Sequence, residues 1–245
     1  GRRLFQVRIH GRGGQGVVTA AELLSVAAFD EGRFAQAFPS FGSERTGAPV
    51  VAFCRIDDHE IRVREPIVAP DALIVQDPTL LHQVDLFSGV RPEGYVLINS
   101  QRTFDELGLG DWAQGFRHER LLTVPATDLA LEHVGRPLPN AVLLGGFAAL
   151  SGQISLASVE IAIGERFPAK IAAANVAGTL FGNADSIDVD VNGCHQMTYA
   201  QIICALIFCA LSISTHMMDR LQRADDGSRR SGGRRRRGSS ATACT

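Results

Sequence analysis

At 245 residues, 45% hydrophobic and 20% charged, the chain can hold one large domain, or one domain with an appendage, and has the composition of a soluble globular protein. The formal net charge of −2 hides a split: from Asp219 onward eight arginines face three aspartates, so the tail carries +5 and the body, by difference, −7. A body of that sign offers no surface for nucleic acid.

The chain opens Gly1-Arg2-Arg3 and enters a strand directly, so no targeting segment is expected and the expected location is cytoplasmic. Residues 4–10 alternate apolar and polar and predict the first strand. Four glycines follow within Gly11-Arg12-Gly13-Gly14-Gln15-Gly16. Residues 17–31 then predict a helix with few polar points, closed at Gly32, and a helix so apolar should be buried on a sheet and on something else. A glycine turn ahead of a helix N-terminus suits an anion, because the first-turn amides and the helix dipole favour negative charge. The plainer reading is a turn that serves tight packing.

Residues 33–38 predict a second strand, and an irregular loop runs from Pro39 to Pro49. A loop of that length inside a compact domain is usually functional or disordered. A hairpin is predicted from a third strand at 50–55 and a partner at 60–64, across an Asp57-Asp58-His59 turn. Further strands are predicted at 72–76, 95–99 and 121–125, with a helix near 80–84. From Ala126 the pattern is helical: 128–134, then a helix capped by Asn140 through 150 in which Gly145 and Gly146 permit a close neighbour. Ser155 caps the next helix, with Glu160 in reach of its first turn, and a last helix follows Pro168 through 177. The expected fold is α/β, three-layer α/β/α with a mixed sheet, a Rossmann-like glycine loop after strand one and a helical C-terminal part. Residues 1–185 read as one domain and 186–245 as an apolar segment with a basic, disordered tail. The run 197–218 is long enough for a membrane helix of about 20 residues, but polar residues interrupt it, and a docking helix or a tail without selected function competes.

Gly11, Gly13 and Gly16 fit G-x-G-x-x-G between strand and helix, the context of a dinucleotide fingerprint. That fingerprint needs an acid roughly 20 residues on, at the end of strand two, for the ribose. Here the strand ends Ala37-Phe38-Pro39, so NAD is disfavoured. Gln15 can brace the loop or meet a polar ligand edge. Arg45 can reach the glycine loop and grip a phosphate, or pair locally with Glu44. Phe41 suits a partner interface. The seven histidines are scattered, and only His10 abuts the loop. The cysteines Cys54, Cys194, Cys204, Cys209 and Cys244 lack the C-x-x-C spacing of zinc or cluster sites. No nucleophile elbow, metal-binding helix or Walker lysine is present, so no catalytic and no metal residue is assigned.

Three stretches together carry a resemblance: residues 10–16, residues 35–49, and Gly135-Arg136-Pro137-Leu138-Pro139-Asn140 leading into Leu143-Leu144-Gly145-Gly146-Phe147. Over about residues 4–182 the chain resembles the gamma subunit of the 2-oxoacid:ferredoxin oxidoreductases of the pyruvate and 2-oxoisovalerate type. The resemblance implies a subunit of an enzyme that oxidatively decarboxylates a 2-oxoacid, forms an acyl-coenzyme A and passes electrons to ferredoxin. It implies alpha, beta and delta-type partner subunits, with thiamine diphosphate, Mg2+ and 4Fe–4S clusters held there. It associates this chain with coenzyme A, and carried over by position this names Gly11, Gly13, Gly14, Gln15, Gly16, Ser43 and Arg45. From about Asp185 the resemblance ends. A stand-alone Rossmann-like nucleotide-binding oxidoreductase and a non-catalytic binding module are the competing readings.

Overall fold

The computed structural model describes residues 4–40 and 46–187. Expectations for Phe41, Ser43, Arg45, the apolar run 197–218 and the basic tail fall outside the described residues. Six strands form one sheet: β1 (Phe5–Arg12), β2 (Phe34–Pro39), β3 (Pro49–Asp57), β4 (Ala72–Val75), β5 (Tyr95–Asn99) and β6 (Leu121–Val124), in the order β2-β3-β1-β4-β5-β6. β1 pairs parallel with β4, β4 with β5, and β5 with β6. β3 runs antiparallel to both β1 and β2, so the sheet is mixed and β2 points the same way as β1. The carboxyl ends of β1, β2, β4, β5 and β6 therefore share one edge. In open α/β sheets that edge is where ligands bind.

β4 is buried at all four of its residues, as a strand covered on both faces must be. One face of the sheet, built on Val7, Ile9, Cys54, Ile74, Leu97 and Val124, packs under the helices. These are α1 (Val17–Asp30), α3 (Ala126–Val134), α4 (Asn140–Ser151), α5 (Leu156–Arg166) and α6 (Ala169–Ile187). α1 packs on β2 and β3 and against α4 and α5, which is why so few of its positions are polar. It ends in a Schellman pair of hydrogen bonds, Gly32 N to Phe29 O and Arg33 N to Ala28 O, at 2.9 and 3.1 Å. α4 buries ten of its twelve residues, in contact with β5 and β6 on one side and α6 on the other. The other face carries Leu73, Val75, Val96 and Ile98 under a thin layer of turns and α2 (Gly110–Ala113), with Trp112 stacked between Phe87 and Phe116. Among the described residues no helix is long and apolar enough to cross a membrane.

Several predicted elements are corrected. Residues 60–64 form no strand. The turn exists, with His59 N donating to Asp57 Oδ1 at 3.0 Å, but the chain beyond it is held by a side chain rather than by a ladder. The buried guanidinium of Arg55 donates to the carbonyls of Val63 and Glu65 and so takes acceptors that a paired strand would use. The sheet is mixed because β3 runs antiparallel to β1 and β2, not because of a hairpin at 50–64. The helix near residue 80 is a 3-10 turn, Pro78–His82, and the last helix runs past 177 to Ile187. Asn140 is the first residue of α4 rather than its cap. Ser155 does cap α5, accepting from Ser158 N at 3.1 Å. The carboxylate that answers it is Glu31 from the end of α1, not Glu160: Ser155 N donates to Glu31 Oε1 at 2.6 Å and Ser158 Oγ at 2.8 Å.

Gly145 lets α4 and α6 meet, since a Cβ there would stand 2.0 Å from the carbonyl oxygen of Thr179. Gly164, in α5, has nothing within 4 Å of the same atom. Helical glycine to alanine ordinarily stabilises by up to about 1 kcal/mol, and overpacking costs roughly 1–3 kcal/mol. Gly164→Ala should raise the urea midpoint of the purified chain and Gly145→Ala should lower it.

Candidate functional site

The loop after β1 sits at the shared carboxyl edge, and its brace comes from inside the protein. Gly11 lies one residue before the end of β1, where a Cβ would lie 2.6 Å from Val17 Cγ2 and 3.1 Å from Gln76 Cβ. It is a close-packing glycine, needed so that the strand end, the start of α1 and the end of β4 can meet. Gly14 has φ +92°. Gly16 caps α1 at φ +73°, and a Cβ on it would meet Asn140 Nδ2 at 2.7 Å. Only glycine satisfies both that dihedral and that contact.

Gln15 braces the loop. Its Oε1 accepts from Arg12 N at 2.8 Å, its Nε2 donates to Asp77 Oδ2 at 2.8 Å, and its carbonyl accepts from Gln76 Nε2 at 3.4 Å. Asp77, where β4 gives way to the 3-10 turn, also accepts from Thr79 N at 2.9 Å and Thr79 Oγ1 at 2.6 Å. Arg12 lies 3.1 Å from Asp77 through Nε and donates to Thr79 Oγ1, to Gln83 Oε1 at 2.9 Å and to Gly47 O at 3.0 Å. Burial alone would raise the Asp77 carboxyl, but the hydrogen bonds from Thr79 and Gln15 and the Arg12 charge outweigh it and hold the group below its ordinary range.

Gly13 joins the loop to the chain entering β3. Its N–H donates to Ala48 O at 2.9 Å, its carbonyl accepts from Gly47 N at 3.1 Å, and it bridges Thr46 in parallel register. On the other side Asn140, buried at the start of α4, has its Nδ2 3.5 Å from Gly16 O. Asn99 at the end of β5 ties Gln76 O to Thr127 in the first turn of α3. α1 starts without a side-chain cap and without an acidic residue in its first turn. The amides of that turn have no partner within the helix and carry its positive dipole end.

Of the residues expected at the site, the structure gathers Gly13, Gly14, Gln15 and Gly16 at one edge and turns Gly11 inward. Ser43 and Arg45 lie outside the described residues. Sequence reasoning missed Arg12, Gln76, Asp77 and Thr79. Asp77-Pro78-Thr79 directly after an apolar strand is a turn-starting signal that would have flagged two of them.

A sequence profile of the family described as pyruvate ferredoxin/flavodoxin oxidoreductase matches residues 6–180. The pyruvate synthase subunit PorC of Methanosarcina barkeri is 51% identical over 158 residues, 64% of this chain and 84% of that protein. The pyruvate/ketoisovalerate oxidoreductases common subunit gamma of Pyrococcus furiosus is 44% identical over 172 residues, 70% of this chain and 91% of the relative. Among solved structures, the pyruvate oxidoreductase subunit PORC of Thermotoga maritima superposes with a TM-score of 0.64 at 33% identity, covering 75% of this chain and 97% of that one. A 2-oxoglutarate:ferredoxin oxidoreductase from Magnetococcus marinus, solved with 2-oxoglutarate, coenzyme A and succinyl-CoA, has a TM-score of 0.60 at 16% identity, over 81% of this chain and 33% of the larger one. At that identity it speaks for the fold alone.

His10 belongs to the opposite face of β1 from Ile9, beside Arg8, rather than to the loop cluster. It is buried, its Nε2 has no hydrogen-bond partner among the described residues, and burial followed by the Arg8 charge lowers its pKa to about 4. A histidine that stays neutral when folded but titrates near 6.5 when unfolded favours the unfolded state as protons bind. Its contribution is whole above about pH 6.5 and is lost as pH falls toward 4, on the order of 3 kcal/mol at most. Urea unfolding of the purified chain between those limits should show a fall in stability that His10→Leu flattens.

Proposed function

The chain belongs to the pyruvate ferredoxin/flavodoxin oxidoreductase family, as a gamma-type subunit of a multi-subunit 2-oxoacid oxidoreductase, and we propose that its part in the reaction is to hold coenzyme A at the glycine loop. The complex removes carbon dioxide from a 2-oxoacid of the pyruvate type, joins the acyl group to the coenzyme A thiol and delivers two electrons to ferredoxin. Thiamine diphosphate with Mg2+ supplies the carbanion chemistry from sister subunits of the alpha, beta and delta type, which also carry the 4Fe–4S clusters. This chain contributes binding and orientation and no reacting group. Residues 1–185 form the gamma domain in this reading, 186–245 are appended to it, and the complex works in the cytoplasm.

The observation that supports this most directly is the double hydrogen bond between Gly13 and the stretch Gly47–Ala48, with Thr46 bridged to Gly13. Arg45 directly precedes Thr46 in the chain, which is why this contact bears on the arginine. Gly13, Gly14 and Gly16 add no side-chain bulk between a ligand and the start of α1, whose uncapped amides suit the coenzyme A phosphates. Arg45 supplies a planar fork for phosphate oxygens, and Ser43 a hydroxyl. Gln15 and Gly11 serve the loop rather than the ligand.

Titration calorimetry of coenzyme A into the purified complex tests the reading. A charge-assisted hydrogen bond contributes about 1.5–3 kcal/mol, so Arg45→Ala should weaken binding roughly tenfold or more. Unchanged affinity in an assembled Arg45→Ala complex would remove the role.

A further inference from the structure

One carboxylate, Asp77, holds three of the residues at this edge of the sheet, Gln15, Thr79 and Arg12, and it lies in neither of the two loops that the family motifs mark. Its side chain is 12% exposed, and its two oxygens receive Thr79 twice, Gln15 and Arg12. A carboxylate has about four acceptor positions, so none remains for a ligand. A negative charge this close to a phosphate site would also repel the ligand if it faced it. Asp77 therefore acts inward.

We propose that Asp77 is a positioning residue that fixes the glycine loop of the coenzyme A site by two routes, one through Gln15 and one through Arg12. Along the first route, Gln15 Nε2 donates to Asp77 while Gln15 Oε1 accepts from Arg12 N, which fixes the turn ahead of Gly16. Along the second, Arg12 is ion-paired to Asp77 and donates to Gly47 O, two residues after Arg45 in sequence and hydrogen-bonded to Gly13. Thr79 and Gln83 hold the Arg12 guanidinium from the other side, so the 3-10 turn belongs to the same assembly. Arg12 is an arginine beside a glycine loop, yet its part here is structural, and Arg45 is left to meet the phosphates. The inference rests on the coenzyme A reading above.

The direct test is a donor–acceptor exchange in the assembled complex. Asp77→Asn sets two amide NH2 groups against each other, and Gln15→Glu sets two carboxylates together. The double variant Gln15→Glu/Asp77→Asn restores a hydrogen bond between the two positions, with donor and acceptor interchanged, and leaves the Arg12 ion pair broken, because Asp77 Oδ2 faces both Gln15 Nε2 and Arg12 Nε. Steady-state turnover with coenzyme A varied should show each single variant raising the KM for coenzyme A roughly tenfold, the scale of one lost charge-assisted hydrogen bond. kcat and the KM for the 2-oxoacid should stay within about twofold of the parent. The double variant should lower the coenzyme A KM below that of either single variant, short of the parent by what the Arg12 route contributes. A general structural role would instead lower assembly, kcat and both KM-based efficiencies together, and the exchange would not separate them. If a single variant does not assemble, the double variant must still assemble and bind coenzyme A, and failure to do either overturns the proposal. Arg45→Ala in the same assay separates the two ideas. If Arg45→Ala weakens coenzyme A and the position 15 and 77 variants do not, Asp77 has no positioning role and the reading of the site stands. If none of the variants changes coenzyme A binding, both fall.

Discussion

β1 gives one edge of its backbone to an antiparallel neighbour and the other to a parallel one, and the glycine loop hangs from the end of that shared strand. Its hydrogen-bonded register fixes Arg12 opposite Pro49 on one side and His10 opposite Val75 on the other. The chain leaving β1 is therefore already placed against the chain entering β3 and the chain leaving β4 before any side chain acts. Gly13 extends the β3 contact by two more backbone hydrogen bonds, and Gln76 N extends the β4 contact by donating to His10 O at 2.7 Å. The close approaches at Gly11 and Gly16 follow from this crowding, since a strand end, two further chain segments and the starts of α1 and α4 converge in one place. A β-carbon at either glycine would have to displace packed neighbours in a region of crystal-like density.

The opposite face of β1 and β3 has a different arrangement, built on two buried arginines. Arg8 donates to the carbonyls of Ile67, Val68, Leu86 and Ser88, and Arg55 to those of Val63 and Glu65. Burying a guanidinium is costly unless its donors are satisfied, and a coil segment with free carbonyls satisfies them without any ladder. The same contacts give backbone carbonyls in the stretch between β3 and β4 partners that a strand would otherwise have provided. Phe38 lies under the Arg55 guanidinium at 5.1 Å and completes the cover with an aromatic face. Apart from Arg8 Nε, which has no hydrogen-bond partner among the described residues, chain and arginines satisfy each other, which is why residues 58–70 run as coil.

These arginines mark where the sequence stopped being legible. The six strands and the main helices are readable because apolar runs of strand or helix length stand between turn residues, as in the four-residue run of β4 or the apolar length of α1. A hairpin at 50–64 was expected because alternation and an Asp-Asp-His turn are local signals, whereas the Arg55 bonds that defeat it depend on the folded backbone. Glu160 was paired with Ser155 on sequence spacing, but the carboxylate that arrives is Glu31, more than a hundred residues away in sequence. At the site the glycines and Gln15 were visible as a pattern, but not the direction in which Gln15 points. Asp77 lies 62 residues from Gln15 in sequence, and no local rule joins them.

An internally braced loop changes how binding energy is used. Fixing the backbone of one residue costs about 1–2 kcal/mol, so a four-residue glycine turn left floppy would consume several kcal/mol of any ligand's gross interaction energy. Here Arg12, Gln15, Asp77 and Gly47 meet that cost during folding, and a ligand meets amides that are already aimed. Glycine is the residue with most to lose on ordering, so a loop that needs glycine for geometry needs bracing in proportion. Asp77 is compatible with an anion site because Arg12 neutralises it at 3.1 Å and its four acceptor positions are already taken. On the reading proposed above, a phosphate would meet the helix dipole and the amides, whose partial charges need no counter-ion and no side-chain ordering. The acid and base of the pair set the geometry, and the backbone that they hold supplies the field.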